Sequence, residues 1–296
     1  MRHFADRLIE AARLNGPLCI GVDPHAGRIP ALFGGDTADG VKAWGVEIVR
    51  LAAEVGVAAV KPQAGLFERL GPEGMSALRA VCQAARETGL VTILDAKRGD
   101  IGSTAEGYAQ AYLADDAPFP CDALTVNPYM GLDTLEPFAR VAEETGRGLA
   151  VLARTSNPGS ADFQAKDMGG APLYARVVTA LGPLINRLEG TSGWSSLMLV
   201  AGATGPEEAR ALRALAPKAL FLVPGYGAQG AGADDALAGF VKAGNRLEGG
   251  VVNASRSVTF PDGAGDAETL ETWREIVGGA MRAAKTDLGE AAGAAA

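Results

Sequence analysis

A chain of 296 residues can bury one large core or two average ones. Its 35 acidic residues against 27 basic ones give a formal net charge of −8, which argues against a nucleic-acid or anionic-membrane surface while leaving room for a local basic site. Apolar residues make up 48% of the chain, yet no run approaches the ~20 consecutive positions of a membrane span, so the composition is that of a soluble globular protein.

The chain opens with MRHFADRLIEAARLNG, in which charges interrupt an amphipathic pattern; this predicts a helix over 1–17 and not a signal peptide. Short apolar, β-rich runs then recur at 18–23, 57–61, 90–95, 122–126, 148–153, 197–201, 219–223 and 249–253. Helical patterns lie between them at 38–55, 73–88, 133–145, 171–189, 206–215 and 233–243. Pro206 followed by EEARALRAL is a clear helix start, because proline suits the first turn and the acids suit the positive end of the dipole. Alternating strands and helices imply a parallel sheet, and eight such units in ~250 residues match a (β/α)8 barrel. A doubly wound open sheet is the rival, usually with fewer strands. Nothing marks an internal boundary, so residues 1–296 are expected to form a single barrel domain, ending in a small-residue tail over 288–296 expected to be disordered. Cys19, Cys82 and Cys121 are scattered through apolar surroundings without CxxC spacing, which predicts buried, reduced thiols and a cytoplasmic compartment.

Several of the strand runs end in charge. The first ends in Asp23 and the second in Lys61, while the third runs into Asp95, Lys97 and Asp100. A period of two places Val91, Ile93, Asp95 and Lys97 on one face and Thr92, Leu94 and Ala96 on the other. The first set would enter the barrel, with its charges at the C-terminal mouth where barrel active sites are built. Solvated strand ends are the bland reading of each charge alone; a mutually paired array can stay ionised within a cleft.

The segment VPGYGAQG (223–230) contains Gly225, Gly227 and Gly230 in literal GxGxxG spacing. A dinucleotide fingerprint also needs a helix opening within it and an acid ending the next strand. Glu248 stands before the eighth strand instead of ending it. A phosphate-binding loop suits the segment better, with Gln229 as a side-chain donor and Arg256 beside it in NASRS after the eighth strand. Two flexible surface loops are the alternative. Ser156, in RTSNPGS after the fifth strand, reads equally as a ligand contact or a capped turn. His3 and His25 form no metal-ligand pattern, and no Walker A, nucleophile-elbow or HExxH motif occurs.

Asp95-x-Lys97-x-x-Asp100-Ile101-Gly102-x-Thr104, preceded by Lys61 and followed by PGYGAQG and SRS, closely resembles the orotidine 5'-phosphate decarboxylase family. GVDPH and LDAKRGDIGSTA look like its bacterial subgroup with longer chains, and the likeness runs from about residue 20 to 257. Gly102 stands where many relatives have proline, as is usual in that subgroup. The resemblance implies a carbon–carbon lyase that makes uridine 5'-phosphate without metal or organic cofactor. It implies Lys97 as proton donor to ring carbon 6, within a Lys61–Asp95–Lys97–Asp100 network. Asp23 and Lys61 would contact ribose, Ser156 the pyrimidine, and Gln229 and Arg256 the phosphate. Asp100 and Thr104 would reach the neighbouring subunit's site, making the protein a homodimer with no nucleic-acid or membrane partner. DxKxxD alone is shared with sister phosphosugar enzymes. A magnesium-dependent decarboxylase or aldolase of the same barrel, or a non-catalytic nucleotide-binding protein, therefore stand as alternatives.

Overall fold

The computed structural model describes residues 2–227 and 230–293. Eight parallel strands close into a barrel: Leu18–Val22, Ala59–Pro62, Val91–Arg98, Ala123–Val126, Gly148–Arg154, Ser195–Ala201, Ala219–Val223 and Gly250–Ala254. Each overlaps one of the eight expected runs. Neighbours in sequence are neighbours in the sheet, and the eighth strand closes on the first through Leu18 opposite Val252. The (β/α)8 barrel is therefore the fold.

Strand alternation divides the core in two. Cys19, Ala59, Ile93, Ala123, Ala150, Met198, Leu220 and Val251 fill the barrel interior, while Ile20, Leu94, Leu124, Leu149, Leu199 and Phe221 pack outward against the helices. The helix Phe4–Asn15 plugs the N-terminal end, with Phe4, Leu8 and Ile9 joining the interior cluster. Phe4 lies so close to the fifth strand that a Cβ on Gly148 would come within 2.2 Å of its ring. Asp6 pins this helix by accepting from Thr191 N and Oγ1 and from Ser192 N, at 2.7–3.1 Å. Burial opposes the ionisation of Asp6, but the Ser192 and Thr191 donors outweigh it and hold its pKa at about 2. Cys19, Cys82 and Cys121 are all buried, and burial pushes the thiols of Cys19 and Cys82 up to about 12.

The helices Ala38–Val55 and Pro206–Leu215 match their expected spans; Thr37 caps the first by accepting from Gly40 N at 3.0 Å. Three expectations need correction. The helix expected over 171–189 breaks into Leu173–Ala180 and Gly182–Arg187, because Pro183 lacks the N–H needed to continue and instead starts the second piece. The helix expected over 233–243 stops at Ala236, and Val241–Ala243 pairs antiparallel with Arg246–Glu248. Gly244-Asn245 forms the two-residue turn of this hairpin, a stronger local signal than the helical period read across it.

The tail expected over 288–296 is ordered as far as it is described. The last helix runs Leu270–Ala291, Leu288 and Ala292 are buried, and Ala292 O accepts from Leu247 N at 2.7 Å. Packing against the hairpin holds it. Residues 294–296 lie outside the described residues.

Candidate active site

The C-terminal strand ends converge on a cleft of about 360 Å³. Asp23 follows the first strand, Lys61 ends the second, and Asp95 and Lys97 lie on the third. Ser156 follows the fifth strand, and Arg256 follows the eighth. These six of the nine sequence candidates line the cleft.

At its floor, Asp95 accepts four hydrogen bonds, two on each oxygen. Oδ2 receives Lys61 Nζ at 3.1 Å and Gln63 Nε2 at 2.9 Å; Oδ1 receives Lys97 Nζ at 2.6 Å and Thr125 Oγ1 at 3.0 Å. Lys61 also lies 3.8 Å from Asp23 Oδ1. Burial works against the charge on Asp95, but Lys61 and Lys97 outweigh it and hold the carboxyl well below the ordinary range. For Lys61, burial is likewise overcome by Asp23 and Asp95, which keep the ammonium above the usual lysine range. Asp95 and Lys61 are therefore both ionised at neutral pH. Lys61 is almost wholly buried, whereas the Lys97 side chain is 45% exposed, so of the two lysines Lys97 has the freer reach into the cleft.

The third strand is not the regular strand that the period of two assumes. Its pairing with the fourth runs Leu94 opposite Leu124 and then Arg98 opposite Val126, so four steps on one strand match two on the other. Within this bulge Lys97 has φ +49°, the one positive φ among the described non-glycine residues. Such a backbone costs on the order of 1–2 kcal/mol. Lys97 does face the cleft, but through the bulge.

Asp100 does not join the array of its own chain. Its Oδ1 accepts from Ile101 N at 2.8 Å, at the start of the helix Gly102–Leu113, and neither Asp100 nor the exposed Thr104 lines the cleft. Gln229 lies outside the described residues. Glu248 is held by Arg13 at 2.7 and 2.8 Å and by Trp194 Nε1 at 3.2 Å, on the hairpin leading into the eighth strand. It cannot serve a dinucleotide ribose at the strands' C-terminal ends, and no helix opens among the described residues of 223–230.

The cleft is basic at one end. Burial pushes the His25 imidazole below its ordinary range; Asp23 opposes this, and Arg256, Arg28 and Arg69 reinforce it. His25 is therefore neutral near pH 7, beside cations suited to an anion. Two buried acceptors in the cleft, Asp23 Oδ1 and Asn253 Oδ1, have no hydrogen-bond partner among the described residues, an arrangement ready for hydroxyl donors. Ser156 sits against the sixth-strand end only because residue 202 is glycine: a Cβ there would lie 2.9 Å from Ser156 Cα.

Gln63, Thr125, Asn253 and Ser255 also line the cleft and were not singled out from sequence. Gln63 and Asn253 stand at strand ends, where the period that picked out Lys61 and Asp95 could have found them. Thr125 carries no such signal, being one threonine within an apolar strand.

A family model described as Orotidine 5'-phosphate decarboxylase / HUMPS family matches residues 16–269. An orotidine 5'-phosphate decarboxylase of Rhodopirellula baltica is 40% identical over 273 residues, covering 88% of this chain and 89% of that protein. One from Deinococcus radiodurans is 43% identical over 248 residues, covering 83% and 85%. A crystal structure described as that of a candidate orotidine 5'-phosphate decarboxylase from Streptomyces avermitilis superposes with TM-score 0.81 at 34% identity, over 97% of this chain and 96% of that one.

Proposed function

Because this chain belongs to the orotidine 5'-phosphate decarboxylase / HUMPS family, we infer that it converts orotidine 5'-phosphate to uridine 5'-phosphate and carbon dioxide. It is a carbon–carbon lyase of pyrimidine biosynthesis. The observation that carries the reading is the Lys61–Asp95–Lys97 array on the floor of the cleft. When the bond from ring carbon 6 to the carboxylate breaks, the electron pair stays on carbon 6, where no adjacent carbonyl delocalises it. Fixed positive charge must then stabilise it. An ammonium at ~4 Å contributes on the order of 4 kcal/mol at an effective dielectric of 20. Lys97, the exposed lysine, then gives a proton from Nζ to carbon 6 and regains one from water. Asp95 holds the two lysines on one carboxylate, so no cation has to reorganise during the reaction.

The remaining roles are those the family resemblance implies, and the positions of Asp23, Lys61, Ser156 and Arg256 in the cleft lining support theirs. Asp23 and Lys61 take the ribose hydroxyls, for which Asp23 Oδ1, without a hydrogen-bond partner among the described residues, provides an acceptor. Ser156 reads the pyrimidine, and Arg256, together with Gln229, takes the phosphate. The working unit is a homodimer in which Asp100 and Thr104 complete the partner's site. Two features support this: both residues stay outside their own cleft, and exposed Ile101, Tyr129, Met130 and Leu132 gather on the adjoining loops. Those loops meet at Gly99, where a Cβ would lie 3.1 Å from Asn127 O and 3.6 Å from Met130 Cε. A patch of this kind suits a second copy of the chain. Reaction in the cytoplasm fits the three buried thiols.

The test is to incubate the purified protein with orotidine 5'-phosphate in excess chelator and follow pyrimidine absorbance. Turnover is expected. No turnover, or turnover only after magnesium is restored, overturns the reading.

A further inference from the structure

We propose that Thr125 is a positioning residue for decarboxylation, acting through Lys97 and Asp95; this rests on the reading of Lys97 as proton donor. The pairing of the third strand with the fourth is interrupted between Leu94 and Arg98, and within that interruption the backbone N–H groups of Ala96 and Lys97 both turn to one side chain of the fourth strand. An N–H partly shielded from water is best satisfied by an acceptor within the protein. Thr125 Oγ1 supplies it for both, accepting from Ala96 N at 2.9 Å and Lys97 N at 2.8 Å. The same oxygen donates its one proton to Asp95 Oδ1 at 3.0 Å. One donor and two acceptor sites are all that a hydroxyl has, and all three are used.

The consequences lie on the two groups the chemistry needs. The two accepted bonds hold the left-handed backbone of Lys97, which nothing in a lysine side chain favours. The donated bond fixes the carboxylate oxygen that also receives Lys97 Nζ at 2.6 Å. A single hydroxyl thus sets both ends of the Lys97 side chain, its Cα and its ammonium. Thr125 itself is 1% exposed on a short central strand, so it has little freedom to move with a ligand. Valine has nearly the same shape but can neither accept nor donate. Serine keeps the hydroxyl and loses only a methyl group.

The experiment compares Thr125→Val and Thr125→Ser with the wild type for kcat on orotidine 5'-phosphate, for the dissociation constant of uridine 5'-phosphate, and for the thermal midpoint. Thr125→Val is expected to lose more than fivefold in kcat while product affinity stays within fivefold; Thr125→Ser is expected to stay within fivefold in both. A Thr125→Val kcat within fivefold of wild type overturns the proposal. So does an equal loss in Thr125→Ser, which would assign the effect to the methyl group, or a parallel loss of product affinity, which would mean general damage to the cleft. Should Thr125→Val not fold, Thr125→Ala is held to the same thresholds, and failure of both to fold makes Thr125 a stability residue and overturns the proposal. An inactive wild type would instead refute the decarboxylase reading, so the two failures are distinguishable.

Discussion

Asp95→Asn tests whether the charged array is held together by its central carboxylate. The substitution keeps size and shape but removes the charge facing Lys61 Nζ at 3.1 Å and Lys97 Nζ at 2.6 Å. At an effective dielectric of 20 these separations correspond to roughly 5 and 6 kcal/mol of attraction. The second must be discounted, because water screens the half-exposed Lys97. Against the loss stands the returned desolvation of the carboxylate, several kcal/mol. Lys61, buried and left with Asp23 at 3.8 Å, would then face a second ammonium without a carboxylate between them. The expected net cost is that of breaking a buried pair, about 3–5 kcal/mol. Urea unfolding at pH 7, followed by a fluorescence or circular dichroism signal, reads it directly. The sign with pH follows from the depressed Asp95 carboxyl: its stabilisation is complete above the unfolded value and is lost only as pH falls through the lower folded value. The gap between wild type and variant should therefore persist at pH 4. A cost below about 1 kcal/mol would refute the reasoning, since it would mean that desolvation cancels the ion pairs.

Arg256→Ala should weaken uridine 5'-phosphate by roughly 1.5–3 kcal/mol in calorimetric titration and leave uridine nearly unaffected; equal losses would remove the phosphate role. Lys97→Ala and Asp100→Ala subunits, each inactive alone, should recover up to about a quarter of wild-type activity per site after exchange, because about half the dimers are mixed and each mixed dimer keeps one intact site. Exchange proven by mass labelling with no recovery would place Asp100 in its own subunit's site. Asp6→Asn should destabilise the fold near neutral pH, and its deficit in denaturation assays should shrink as acid takes the wild type from pH 4 through about 2, where the Asp6 carboxylate is lost. Phe4→Ala should cost about 3–5 kcal/mol in the same assay, because it empties the plug of the barrel.

The eight strand runs, the helix span 38–55, the helix start at Pro206, and the charges at Asp23, Lys61, Asp95 and Lys97 were legible in the sequence. Each is written in contiguous residues as a period, a cap or a strand end. The break at Pro183 and the Gly244-Asn245 turn were just as local, but a helical period read across them hid both. Other features belonged to the tertiary structure alone. The last helix stays docked because Leu288 is buried in the core and Ala292 O accepts from Leu247 N of the hairpin, and neither residue announces its neighbour. Asp100 has the same spacing to Lys97 in any conformation, yet only the turn into Gly102–Leu113 carries it away from its own cleft. Thr125 is the clearest case. It stands 28 residues from Lys97 in sequence, and its hydroxyl has a task only because the pairing of the third and fourth strands sets it against a bulge whose two N–H groups turn to it. A lysine in the left-handed region has no residue-type signature, since its conformation is set by acceptors on the next strand and not by its own side chain.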